Sequence, residues 1–221
     1  SRVGDVIVEE YMSGPEVSVE TLSIDGVCHV IQITDKITTG APHYVEMGHS
    51  QPSRHSKEIS EKISEVAKAA NKALGITNGP SHTEIIVTSE GPKIVEVGAR
   101  LGGDNITTHL VPLSTGVNMV ECCIKIALGE KPDIKPKWNK GAAIRYFEQN
   151  AGVVKNIIGI NEAKQISGIQ DISIVHGIGE EVTEVTSSGA RMGFVIAQDI
   201  DAETAIEDCY AALDMIKVSV E

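Results

Sequence analysis

Apolar and polar positions alternate most regularly over residues 83–97, TEIIVTSEGPKIVEV. Two short strands, 83–88 and 92–97, are predicted there, rich in β-branched residues. If Ser89, Glu90 and Gly91 form a three-residue loop, Gly91 takes the left-handed position, Thr88 faces Pro92, and Glu84 falls opposite Glu96. A two-residue loop would instead send the two carboxylates to opposite faces. Upstream, a strand over 6–10 runs to a Ser13-Gly14-Pro15 turn, and a second begins at Glu16. Asp25-Gly26 is a two-residue hairpin signal between strands 16–24 and 27–34. Residues 35–53 read as a long loop. A helical period over 56–74 places Ile59, Ile63, Val66, Ala70 and Leu74 on one stripe, with Gly75 as its stop. Asn118 and Glu121 form a capping box for a helix over 119–128.

The pattern shortens after residue 140. Strands are expected over 142–148, 152–156, 171–176 and 193–199, a short helix over 161–166 and a last helix over 202–218 capped by Asp201. That last helix carries the stripe Ile206, Cys209, Leu213 and Ile216. The Pro- and Lys-rich residues 131–140 read as a linker, so the predicted organisation is α+β, with units 1–130 and 141–221.

Composition narrows the partners. The chain of 221 residues carries 31 acidic and 19 basic residues, with no basic run longer than a pair, which argues against nucleic acid or an anionic membrane as partner. No apolar run is long enough for a membrane-spanning helix. The four cysteines, two of them adjacent, suit neither a disulfide framework nor a zinc spacing, and a reducing cytoplasm is the expected compartment.

The candidate chemistry lies in and after the central hairpin. Two carboxylates opposed across an apolar ribbon repel and lose hydration, and a divalent cation relieves both costs. Hard oxygen ligands suit Mg²⁺, with substrate phosphates completing its shell. Arg100 follows Glu96 by four residues, and Gly102-Gly103-Asp104 bends the chain with free backbone amides. A guanidinium and a glycine turn beside a cation are what phosphoryl or acyl-phosphate chemistry uses. His82 shares a strand face with Glu84.

These residues resemble the ATP-grasp ligases, in which a Glu or Asp on one strand and a Glu-x-Asn-x-Arg segment on the next hold Mg²⁺ against the ATP phosphates. Glu84, Glu96 and Arg100 match that pattern. Gly98 stands in place of the Asn, so one metal contact is missing or comes from elsewhere, Asp104 or water being the candidates. The wording EVGARLGGD is most similar to the amino-acid ligase and carboxylate–amine ligase branch, and the likeness covers roughly residues 5–130. It implies an ATP-grasp C-terminal subdomain, an antiparallel sheet with flanking helices, followed by a small α+β domain like that of biotin carboxylase and glycinamide ligases. It also implies a reaction in which Mg-ATP (or Mn²⁺) turns a carboxylate into an acyl-phosphate, and an amine displaces phosphate; bicarbonate is the alternative carboxylate, and a non-catalytic nucleotide-binding module the alternative from another class.

By the same resemblance Glu9 or Glu10 would meet adenine, Glu16 the ribose hydroxyls, and Lys36 the phosphates. Glu46 and His49 are candidates for a substrate amino group. His82 would steady the transition state where related enzymes carry Arg. Asp104, Thr107 and Arg191 are substrate candidates, with Arg145 a further contributor from the small domain. Complete enzymes of this family carry a phosphate loop ahead of the matching region, so a part of a longer enzyme, inactive alone, is expected, with a homodimer compatible. Plainer readings accompany each residue: an edge strand rich in Glu, a hydrogen-bonded core imidazole, a helix-start cap at Thr107, a surface ion pair at Arg191.

Overall fold

The computed structural model describes residues 4 and 6–221. Strands β1 (Glu16–Ile24) and β2 (Val27–Thr38) form a hairpin through Asp25 and Gly26. Both turn residues are left-handed, φ 52° and 80°, the conformation a two-residue turn needs to match strand twist. β3 (Glu46–Gln51), α1 (Lys57–Ala73), β4 (Gly79–Thr88) and β5 (Gly91–Gly98) follow. A π-helical turn (Ile106–Leu110) leads into α2 (Val111–Thr115) and α3 (Met119–Ala127). Then come β6 (Gly141–Tyr146), β7 (Gly152–Ile158), α4 (Ile160–Ala163), β8 (Ile169–Ile174), β9 (Glu181–Val182), β10 (Gly193–Asp199), α5 (Ala202–Met215) and β11 (Lys217–Val220).

Eight strands make one sheet in the order β5-β4-β1-β2-β3-β6-β10-β8, every neighbouring pair antiparallel, and β11-β7-β9 make a second. The architecture is therefore an antiparallel sheet with flanking helices and an additional C-terminal α+β part. The β3–β6 ladder, Gly48 to Gln51 against Arg145 to Ala142, carries the large sheet without a break from the hairpin region into the C-terminal part. Residues 131–140 hold no helix or strand.

Strand periodicity sorts the two faces. Val17 and Val19 of β1 pack with Ile33, Ile85 and the Ile63 and Ala67 of α1. Leu22 points to the other side, with Ile106, Leu110, Val111 and Met119. A third cluster lies under α5, where Ala205, Cys209 and Ala212 meet Ala143, Val195 and Ala197. Asn118 and Asp201 cap their helices as the sequence predicts, and Ser56 caps α1 in the same way, each accepting from the third residue on.

Four expectations are corrected. Residues 6–10 form no strand (Asp5 lies outside the described residues), because both edges of β1 are taken by β2 and β4, and Val6, Ile7 and Val8 are exposed. The long loop shrinks to residues 39–45, since β2 and β3 pair across most of it. α5 stops at Met215; Ile216 turns extended, and Lys217–Val220 pairs with β7. The β4–β5 turn has two residues, with Thr88 paired to Gly91 and Val87 to Pro92. A bulge at Val95 adds the residue that the turn lacks, so Glu84 still faces Glu96.

Candidate active site

The face of the large sheet away from α1 carries a polar centre. Lys36 of β2, its side chain 3% exposed, lies 3.1 Å from Glu84, 3.7 Å from Glu46 and within ion-pair distance of Glu16. Burial pulls the Lys36 pKa down, but Glu16 and Glu84 outweigh it, and the net shift is upward. His82 of β4 has Nδ1 2.7 Å from the Oε1 of Glu20 and Nε2 3.3 Å from Glu84. Burial opposes its protonation, yet the two carboxylates raise it to about 9, so the ring is an imidazolium at neutral pH. The hydrogen bond from His82 lowers the Glu84 pKa to about 2, against the effect of burial and with help from Lys36.

Glu20, fully buried, was not singled out in the sequence; its only signal was a carboxylate alternating with Ser18 and Leu22 on one face of an apolar strand. The backbone of Gly102 lies against this pair: a Cβ there would stand 2.7 Å from both Glu20 Oε2 and His82 Nδ1. After Gly103 the chain bends through Asp104 and Asn105, both left-handed at φ 50° and 61°, a conformation that Asp and Asn tolerate better than other residues with a side chain.

That bend aims Asp104 across the cleft. Arg191 grips it bidentately, 2.8 Å and 2.7 Å, and His49 Nε2 lies 3.2 Å away. The Arg191 guanidinium also stacks 3.8 Å above the Tyr146 ring. Burial raises the Asp104 pKa, but Arg191 and His49 overcome it and hold the carboxyl far below its ordinary range. Burial keeps His49 below its usual value. A cavity of about 280 Å³ lies between Lys36, His82, Glu84, Arg100 and Asp104, with Glu46 and His49 in its wall. A second of about 300 Å³, walled by Tyr146, Phe194 and Arg191, shares Asp104 and Ser188 with it.

Sequence candidates thus divide. Lys36, His82, Glu84, Arg100, Asp104 and Arg191 line the two cavities. Glu16 sits beside them as the partner of Lys36, and Glu96 opposes Glu84 while holding Arg100 at 3.7 Å. Thr107 does not reach the cleft: it is buried and donates to the carbonyl of Gly102, which fixes the bend. Glu9 and Glu10 are exposed, Glu10 beside Lys93. Arg145 points to the opposite side of β3. Arg191 follows a 3-10 turn, Ser188–Ala190, rather than a hairpin, and its Asp104 pair is buried, not a surface bridge.

Positive groups stand beside both opposed carboxylates, Lys36 and His82 beside Glu84 and Arg100 beside Glu96. Asp104 is no spare metal ligand, since Arg191 and His49 occupy both oxygens. Among the described residues no three His, Cys, Asp or Glu side chains gather as a metal site. Glu84 in the cavity wall, with Glu96 opposite it in the ladder, nevertheless suits a Mg²⁺-type ion, which takes one or two protein carboxylates and fills its shell with phosphate and water.

Residues 1–108 match the model of the ATP-grasp domain, and residues 145–221 match the L-amino acid ligase C-terminal domain 2. Residues 1–108 are thus of the ATP-grasp domain kind, and residues 145–221 are of the kind found at the C-terminus of L-amino acid ligases. The L-arginine-specific L-amino acid ligase of Bacillus subtilis is 24% identical over 204 residues, 90% of this chain and 49% of that protein. The alanine–anticapsin ligase of Bacillus subtilis strain 168 is 28% identical over 185 residues, 79% of this chain and 37% of that protein. Among solved structures, an L-amino acid ligase from Bacillus licheniformis superposes with a TM-score of 0.84 at 26% identity, covering 96% of this chain and 53% of the other. The chain thus spans about half the length, or less, of the relatives it matches.

Proposed function

We propose that this chain forms part of an ATP-dependent carboxylate–amine ligase acting on amino acids, the rest of the nucleotide site being supplied by a part of the protein outside these residues. One observation carries the reading: the Lys36–Glu84–His82 centre and the Asp104–Arg191 clamp face each other across one cleft, with a second cavity alongside. Two adjoining cavities of about 280 and 300 Å³ offer room for two organic substrates. Bicarbonate would need far less, which favours an organic acid over the carbamoyl-phosphate or biotin carboxylase alternative.

The substrate carboxylate attacks the γ-phosphorus of ATP, the bond to ADP breaks, and an acyl-phosphate forms; the amine then attacks the acyl carbon and phosphate leaves. No covalent residue is required. Glu84 and Glu96 would hold Mg²⁺ (or Mn²⁺), which when bound neutralises phosphate charge. Arg100 and the His82 imidazolium supply fixed donors where negative charge develops. Glu46 provides an acceptor for the incoming amino group, beside His49. The Asp104–Arg191 clamp holds the cleft's far wall.

The test is ADP release by the intact protein across a panel of amino acids, singly and in pairs. Amino-acid-dependent release, abolished by Glu84→Gln, supports the reading. Release that needs only bicarbonate, or none with any pair, refutes it.

A further inference from the structure

β3 has a second side. Behind it, between β6, α5 and β11, lies a cleft of about 870 Å³, within the size range of small-molecule sites. Arg145 lines this cleft and is 2% exposed. Its side chain crosses the backbone of Gly48, where a Cβ would stand 2.8 Å from both Cδ and Nη1. Nη1 donates to the carbonyls of His49 and Ile144, at 3.0 and 2.9 Å, and the guanidinium carbon lies 5.4 Å from the centroid of the Tyr210 ring.

Nε has no hydrogen-bond partner, and among the described residues no carboxylate lies within 4.0 Å of this guanidinium. Among the described residues the other buried cations are matched, Lys36 by Glu16 and Glu84, His82 by Glu20 and Glu84, and Arg191 by Asp104. Two carbonyl dipoles and one ring face compensate only part of a buried unit charge, and leaving the remainder unpaired is costly. A ligand anion would complete the set.

The other charged residues of the wall restrict that ligand. Glu148, Glu184 and Asp214 line the same cleft, with Lys217 as the second cation. Three carboxylates disfavour a phosphate or any other dianion, and they suit a positive group held apart from the anionic end. We propose that the cleft binds a free α-amino acid, its carboxylate on Arg145 and its ammonium toward the acidic residues. The rest of the wall is mostly apolar, which suits an apolar or aromatic side chain. This cleft adjoins the candidate active site across β3 and β6: Arg145 holds the His49 carbonyl while the His49 ring lines the first cavity, and Tyr146 lines both this cleft and the second cavity. Only that coupling rests on the ligase reading.

The experiment is calorimetric titration of the intact protein with L-phenylalanine, L-phenylalaninamide and 3-phenylpropionate, without ATP or divalent metal. Failure here therefore leaves the ADP-release test untouched. Wild type and Glu84→Gln are expected to bind L-phenylalanine alike, and Arg145→Gln about 10- to 100-fold more weakly, as the loss of charge-assisted hydrogen bonds dictates. The amide and the propionate, each lacking one charged end, are expected to bind at least about 10-fold more weakly than the amino acid. No binding by wild type overturns the proposal. So does binding that Arg145→Gln leaves unchanged, or that Glu84→Gln abolishes. Should circular dichroism show Arg145→Gln unfolded, Tyr210→Ala carries the test: weaker binding supports the site and unchanged binding refutes it.

Discussion

Charged side chains in this cleft are stabilised in chains rather than in pairs. Glu20 holds His82, His82 and Lys36 share Glu84, and Lys36 reaches Glu16. In metal-free protein this has a pH signature. A histidine in the unfolded chain titrates near 6.5, whereas His82 titrates at about 9, so its contribution to stability is full below about 6.5 and is lost as pH rises through about 9. Glu84, lowered from 4.5 to about 2, contributes fully above about 4.5 and loses that contribution as pH falls through about 2. Urea unfolding at several pH values should show stability falling on the alkaline side, with His82→Gln flattening that limb; an unchanged limb would refute the assignment. Across the cleft, Asp104→Asn leaves Arg191 buried without its counter-charge and should cost roughly 3 kcal/mol by urea titration. Gly102→Ala puts a methyl group against Glu20 and His82, and about 1–3 kcal/mol of destabilisation is expected in the same assay.

Among the elements, the β4–β5 hairpin shows how a register can be reached by more than one route. From the sequence, the Glu84–Glu96 pair depended on a three-residue loop, and a two-residue loop would have sent the carboxylates to opposite faces; the structure keeps the pair with the shorter turn. The sequence did not disclose that a two-residue turn and a bulge at Val95 share the extra residue between them. α1 was legible from its 3.6-residue period and its Gly75 stop, since both signals are local. Its buried stripe centres on Ile63 and Ala67, so Ile63→Ala should cost about 2–4 kcal/mol of unfolding free energy, whereas truncating the exposed Leu74 should cost little. Residues 6–10 show the converse: their β-branched pattern suits a strand, but pairing needs a free edge, and β1 offers none.

For the whole molecule, the continuity of the large sheet matters most. Gly48 and Arg145 meet at the β3–β6 ladder, where the sheet passes between its two parts. A cooperative ladder across that junction predicts one unfolding transition, with Trp138 fluorescence and far-UV circular dichroism changing together in urea. Two separated transitions would show that the parts melt independently. The same continuity places Arg191 of the C-terminal part against Asp104 of the other, 87 positions apart in sequence, so one wall of the cleft exists only when the sheet is complete.

The sequence by itself determined what depends on near neighbours: the alternation of the strands, the stripes of the helices, the caps at Asn118 and Asp201, and the Asp25-Gly26 turn. Only the tertiary structure decided which distant charges meet. Glu20 finds His82, Asp104 finds Arg191, Thr107 turns inward to its own backbone, and Arg145 faces away from the cleft where Arg191 serves. Local pattern reports which face of an element is apolar, whereas the partner of a buried charge is set by strand order, and strand order is a property of the assembled sheet.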